Sequence, residues 1–310
     1  MAHSTNMTFF RQTQHAVHGL ISLSRWKEHL PLAALTLLGG LIAFSVHDVT
    51  MDWRLLAVTI ANFLSVTFAF MINDIEDAPD DAAHPVSAQR NPVTNGSLDL
   101  RTAWIACAIV VAVALGLYLA SGSLIVLGIG ILNLLLSFLY SWKPVRLKSS
   151  SFGLDIVSHT LMLGGLLPLA GYFIYSNEVH SAIVLMSAAA TLGSTYGQLY
   201  NQVRDYDADK KAGIVNVAIR LGKRPTWVVA YSAVGLTIIM GLAAILQMEF
   251  PSWLVFLSLA SIVVGFGGAY LFNGKDASGK DALDLTGRLQ PGVWFALIVT
   301  VLAWVVWAMI

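Results

Sequence analysis

Two short acidic segments hold the residues best placed to do chemistry. The first is Asn73-Asp74-Ile75-Glu76-Asp77-Ala78-Pro79-Asp80-Asp81, with five carboxylates in the eight residues from Asp74 to Asp81. The second is Asn201-Gln202-Val203-Arg204-Asp205-Tyr206-Asp207-Ala208-Asp209, followed by Lys210, Lys211 and Gly213. Asp74, Asp77 and Asp81 stand at i, i+3 and i+7, and Asp205 and Asp209 at i, i+4. A helix running through either segment puts its set on one face, although Pro79 works against that geometry in the first. Clustered carboxylates raise one another's pKa unless a cation lies between them. An oxygen-only set without His or Cys suits a hard ion, Mg²⁺ rather than Zn²⁺. Mg²⁺ takes one or two protein carboxylates and completes its shell with water and phosphate oxygens. Two facing sets, with two ions, therefore point to a diphosphate held between them. A lone acidic run reads as a solvated surface. Two runs 131 residues apart, each with helical spacing and flanking Arg or Lys, read as a paired metal site and as the trace of an internal duplication.

The elements that position these segments are membrane spans. Of 310 residues, 56% are hydrophobic and 12% charged, against about 25% charged in an ordinary soluble domain. Mean hydropathy is +0.70. That composition excludes a soluble globular protein, a disordered chain and a nucleic-acid binder. It predicts an all-α polytopic membrane protein embedded in the lipid bilayer. A span needs about 20 mostly apolar residues. Nine runs qualify: 30–46, 54–73, 102–121, 123–140, 154–175, 179–200, 226–248, 252–272 and 291–310. Residues 1–29 read as a polar N-terminal segment without signal-peptide character, and 30–310 as one transmembrane domain. Both acidic segments follow even-numbered spans, on the same side. With nine spans, that side receives 1–29, 74–101, 141–153, 201–225 and 273–290. These segments hold 17 of the 18 Lys and Arg residues, leaving Arg54 on the other side. By the positive-inside rule that side, with the N-terminus, is cytoplasmic, and the C-terminus is outside.

Other residues have structural as well as functional readings. Tyr140, Tyr196 and Tyr200 lie at span ends, where rings either anchor in the interface or stabilise a cation. Trp53, Trp104, Trp227 and Trp253 read as interface anchors. Asp155 and His159, at i, i+4 in the fifth span, are either a self-satisfied pair or part of an acceptor or proton-taking site. Asn133 reads as helix–helix glue, and the glycines 39–40, 164–165 and 265–268 as close-packing positions. The single cysteine, Cys107, reads as a buried structural thiol.

With these residues in place, the chain resembles the UbiA superfamily of intramembrane prenyltransferases. Asn73, Asp74, Asp77 and Asp81 match its N-D-x-x-D-x-x-x-D motif. Asp205 and Asp209, with Lys211 and Gly213, match its D-x-x-x-D and Lys-x-Gly. Arg90-Asn91-Pro92-Val93-Thr94-Asn95-Gly96 is similar to the R-P-x-x-x-G turn with Asn91 inserted. Tyr140-Ser141-Trp142-Lys143-Pro144-Val145-Arg146-Leu147-Lys148 is similar to the Y-S-x-x-P-x-R-L-K stretch. Arg25 stands where the family often has Arg-Pro, with Trp26 replacing the proline.

The resemblance implies nine helices around a central cavity, capped by the cytoplasmic loops and open sideways to lipid. It also implies transfer of a prenyl group from a polyprenyl diphosphate to an acceptor that is often aromatic. On this reading Asp74, Asp77, Asp81, Asp205 and Asp209 hold two Mg²⁺ ions. Arg25, Arg90, Arg146, Lys148 and Arg204 add charge against the diphosphate. Asn73 and Asn201 orient ligands, Tyr140 and Tyr200 face the cation, and Asp155 and His159 receive the acceptor. The competing readings are a terpene cyclase or lipid-forming enzyme on the same scaffold, and a divalent-cation or proton-coupled transporter. Carboxylates at the rim and spans with few Gly/Pro breaks weigh against a transporter.

Overall fold

The computed structural model describes residues 16–47, 49–83, 85–149, 153–211, 213–248, 250–273 and 290–309. Among these, all regular structure is helical. In chain order the α-helices are α1 (16–24), α2 (Trp26–His29), α3 (Ala33–Val46), α4 (Trp53–Asp81), α5 (Pro85–Arg90), α6 (Leu100–Ala120), α7 (Leu124–Ser141) and α8 (Leu154–Thr160). They continue with α9 (Leu166–Tyr172), α10 (Ser181–Arg204), α11 (Tyr206–Lys211), α12 (Val217–Leu221), α13 (Lys223–Ile245), α14 (Ser252–Asn273) and α15 (Gln290–Met309). Each apolar run of the sequence falls on helix. Among the described residues, six segments are long and apolar enough to cross a membrane. Three runs fall outside that set: the sixth, α10, which carries Ser187, Thr191, Ser194, Thr195, Gln198 and Gln202, and the eighth and ninth, which count only as shorter apolar helices over Ser252–Gly265 and Phe295–Ala308. Most of the 273–290 loop, with Lys275, Lys280 and Arg288, lies outside the described residues, as does Arg11.

Close approach of backbones sets the bundle. A Cβ on Gly39 would lie 1.9 Å from the Pro168 carbonyl oxygen, and one on Gly171 1.9 Å from that of Thr36, so α3 and α9 touch main chain to main chain. Gly39→Ala is expected to overpack this crossing at a cost of about 1–3 kcal/mol or more. The check is the thermal midpoint in detergent, which should fall; an unchanged midpoint would contradict the crossing. Across it, Asn62 on α4 donates to Thr36 Oγ1 on α3 (2.7 Å) and accepts from Tyr118 Oη on α6 (2.6 Å).

The fifth run is not a continuous α-helix. Between α8 and α9 the chain makes a π turn over Leu161–Gly165. Such turns recur at functional sites. Here Gly164 and Gly165 admit α10: a Cβ on either would sit 2.6 Å from the Ala190 carbonyl oxygen or 2.4 Å from Thr191 Oγ1. Ser187 Oγ on α10 donates to the Gly165 carbonyl at 2.8 Å. Cys107 is buried and free, as its apolar run predicts. Asn133 departs from expectation: it is buried, but neither amide atom has a hydrogen-bond partner among the described residues, so it does not glue helices through its side chain.

Candidate functional site

The first acidic segment is helical throughout, whereas in the second the helix breaks at Asp205 and a new one, α11, follows. α4 runs unbroken through Pro79 to Asp81, and α10 ends at Arg204 with Asp205 as its C-cap. Their ends meet at a cavity of about 440 Å³. From α4 come Asn73 and Asp77. From α10 and its C-cap come Asn201 and Asp205, and from α11 comes Asp209. Arg25, Arg146 and Lys148 bring positive charge to the same wall, and Tyr140, His159, Gln198 and Gln202 add neutral polar groups. Phe70, Met162 and Leu163 make it apolar toward the bundle.

The cavity meets α4 along Asn73 and Asp77, one edge of the face that the three aspartates share, and not along Asp74 and Asp81. Asp74 is only 1% exposed and turned toward Arg25, whose Nη1 lies 3.4 Å from Asp74 Oδ1. Asp81 accepts from Asn91 Nδ2 at 2.9 Å. Among the described residues the cavity wall includes neither of them, nor Arg90, Asp155 or Tyr200. Tyr200 packs instead on Trp227, with ring centroids 5.8 Å apart, and Trp227 stacks on Tyr231 at 5.4 Å. Tyr196 is buried in that same cluster. Asp155 and His159 are not a self-satisfied pair. Asp155 is fully buried and accepts from Gln202 Nε2 at 2.5 Å, while its Oδ1 and His159 Nδ1 have no partner among the described residues. His159 stays on the cavity wall, its ring 5.8 Å from that of Tyr140.

Charge is closely matched on the α4 side. Asp77 accepts from Arg146 Nη2 (2.9 Å), Lys148 Nζ (2.5 Å) and Asn73 Nδ2 (3.0 Å). Arg146 also donates to Asp80 at 2.8 Å. Burial holds the Lys148 ammonium below the usual lysine range, against the pull of Asp77. Arg25 and Arg146 are the two non-glycine residues at positive φ among those described, at 46° and 43°. Side chains adopt that region at a cost of about 1–3 kcal/mol, a strain that clusters at functional sites. Both strained residues point cations into one cavity. Arg25 is further held by Glu28 and by the Phe70 ring, 4.7 Å from its guanidinium.

On the other side Asp205 pairs with Arg204 at 2.8 Å. Asp209 accepts from Asn216 Nδ2 at 2.8 Å, while Asn216 Oδ1 caps α12 by accepting from Ile219 N–H at 2.9 Å. Burial, reinforced by the charge of Asp205, holds the Asp209 carboxyl above the usual carboxylate range. Among the described residues no three Asp, Glu, His or Cys side chains come together as a ready-made metal cluster. The carboxylates instead sit on separate elements around a shared space. That arrangement fits Mg²⁺ bound jointly by one or two carboxylates and a phosphate ligand, and does not fit a closed all-protein cage.

Sequence reasoning missed Gln198, Gln202 and Asn216. For the two glutamines the available signal was their i, i+4 spacing on the polar half of the sixth span, just before Asp205.

Comparison with known proteins follows the same lines. The sequence model of the UbiA prenyltransferase family matches residues 32–286. A digeranylgeranylglyceryl phosphate synthase of Methanococcus aeolicus is 26% identical over 208 residues, 67% of this chain and 70% of the relative. A 1,4-dihydroxy-2-naphthoate octaprenyltransferase of Bacillus subtilis is 26% identical over 161 residues, 51% of each chain. A UbiA homologue from Archaeoglobus fulgidus, solved bound to GPP and Mg²⁺, superposes with a TM-score of 0.68 at 20% identity, over 94% of this chain and 100% of that one.

Proposed function

Because the chain belongs to the UbiA prenyltransferase family, we propose that it moves a prenyl group from a polyprenyl diphosphate to a second substrate inside the bilayer, with Mg²⁺ as cofactor. The observation that carries this reading is the convergence of Asn73 and Asp77, Asn201, Asp205 and Asp209, and Arg25, Arg146 and Lys148 on one cavity with an apolar floor. The named relatives and the A. fulgidus complex support the donor class and the ion.

Asp77, Asp205 and Asp209 would hold the metal, with Asn73 and Asn201 beside them. When bound, Mg²⁺ supplies charge neutralisation of the departing diphosphate. Arg25, Arg146 and Lys148 bind the diphosphate oxygens, Arg with its planar fork and Lys as a point charge. Phe70, Met162 and Leu163 receive the start of the isoprenoid chain and exclude water that would capture the allylic cation. The Tyr140 ring lies where it can face that cation. His159 and Gln198 form the wall available to the acceptor, and His159 can take the proton released on transfer. The lysine- and arginine-rich side, with this cavity, faces the cytoplasm.

The assay is direct. In detergent with geranylgeranyl diphosphate and Mg²⁺, the protein is offered either 1,4-dihydroxy-2-naphthoate or a geranylgeranylglyceryl phosphate, the acceptor classes suggested by its relatives' names. Prenylated product by mass spectrometry, abolished by EDTA, is expected with one of them. Diphosphate release with an isoprenoid product from the donor alone would favour a cyclase. No diphosphate release under any condition would contradict the proposal. The raised Asp209 gives this activity a sign in pH. Its carboxylate must be ionised to hold Mg²⁺. The half-saturating Mg²⁺ concentration should therefore rise as pH falls from neutrality, starting above the ordinary carboxylate range, and Asp209→Asn should flatten that slope.

A further inference from the structure

We propose that Asn91 is the positioning residue that sets the angle of the α4 end carrying Asp77, and that Asp81 is its anchor and not a metal ligand. The proposal rests on the reading of Asp77 as a Mg²⁺ ligand. Asn91 is fully buried. Its Nδ2 donates to the Asp74 backbone carbonyl at 2.7 Å and to Asp81 Oδ2 at 2.9 Å. Its Oδ1 accepts from the Val93 and Thr94 N–H groups at 3.0 and 3.4 Å. Both donors and both lone pairs of the amide are therefore in use. Thr94 Oγ1, in the same loop, donates to the Ala78 carbonyl at 3.0 Å.

These bonds grip α4 where it is weakest. Pro79 provides no N–H, and its ring crowds the carbonyl four residues back, so the helix past residue 75 lacks part of its own support. Asp74 and Asp81 are seven residues, about two turns, apart. One buried amide thus holds both ends of the stretch that presents Asp77 to the cavity, Asp77 lying about 40–60° round the helix from the two gripped residues. Rotation of this stretch would carry Asp77 away from Asp205 and Asp209. Asp74 and Asp81 are already engaged, Asp74 by Arg25 and Asp81 by Asn91.

The test reads the Mg²⁺ concentration that gives half-maximal thermal stabilisation with unreactive geranylgeranyl thiodiphosphate, in detergent. The melting temperature without ligand reads folding separately. Asp81→Asn keeps an oxygen that accepts from Asn91, and should shift the Mg²⁺ midpoint less than about threefold, against a loss of about tenfold or more for displaced ligand support. Asn91→Asp keeps the Val93 and Thr94 bonds but sets a carboxylate against the Asp74 carbonyl and Asp81, and should raise the midpoint about tenfold or more. Combining it with Asp81→Asn, whose amide can donate to the new carboxylate, should recover most of that loss. If Asn91→Asp does not fold, Asn91→Ser removes the same donor and should move the midpoint the same way. An Asp81→Asn effect as large as that of Asp77→Asn would make Asp81 a ligand and overturn the proposal. So would an unchanged midpoint in the Asn91 variants. A wild type with no Mg²⁺-dependent shift would overturn the donor-site reading itself.

Discussion

Asp77→Asn is expected to slow prenyl transfer by about two to three orders of magnitude, the scale of losing one charge-stabilising group in an active site. Among the described residues Asp77 is the α4 carboxylate on the cavity wall, and asparagine keeps its shape while removing the charge that would hold Mg²⁺. The fold should survive, because Asp77 sits on a partly open rim and Arg146 keeps its bond to Asp80. Asp80→Asn is the matched control. Asp80 belongs to the same acidic run, is half exposed and lies off the cavity wall. Exposed pairs contribute about 0–1 kcal/mol, so activity should fall no more than about fivefold. Equal damage from the two substitutions would mean that the whole run acts as a diffuse negative field, and would remove the special role given to Asp77.

Lys148→Ala is expected to act in two opposite directions. Lys148 sits 2.5 Å from Asp77 in a largely buried setting, so it competes with any cation for that carboxylate. Its removal should leave the affinity for Mg²⁺ alone unchanged or tighter. The same ammonium is placed to bind diphosphate, and a hydrogen bond to a charged group contributes about 1.5–3 kcal/mol. The donor KM should therefore rise by roughly 10- to 100-fold. Metal titration without donor, followed by donor titration at saturating metal, separates the two. Parallel loss of both affinities would show that Lys148 only supports the fold around Asp77.

Much of the architecture was legible because the bilayer imposes it. Helices α6 and α7 start and stop within a few residues of their apolar runs, and α4 starts at its run but continues beyond it through the acidic segment to Asp81; Asp52, Asp99 and Ser123 cap the N-termini of α4, α6 and α7. The π turn at Leu161–Gly165 was not legible, since it arises from the approach of α10 to two glycines and leaves no mark on hydropathy. The acidic segments were legible as a pair, but not in their phase. Counting aspartates gave Asp74, Asp77 and Asp81 as the working face. The cavity selects Asn73 and Asp77, matching Asn201 and Asp205 in the second segment. The repeated element is thus Asn-x-x-x-Asp, visible in both runs once the neutral residue is given equal weight. Asp155 was ambiguous because its partner, Gln202, lies 47 residues away and no local pattern joins them.

The central claim is that one cavity binds a prenyl diphosphate through Mg²⁺ on Asp77 and the Asp205–Asp209 pair. Its most direct test is a thermal-shift titration of the detergent-solubilised protein with unreactive geranylgeranyl thiodiphosphate, with and without Mg²⁺, on the wild type, Asp77→Asn and Asp205→Asn. Ligand binding to the native state raises the melting temperature by mass action. The predicted result is a stabilisation that requires Mg²⁺ and is lost in both variants. Stabilisation that persists without Mg²⁺, or in either variant, would contradict the claim.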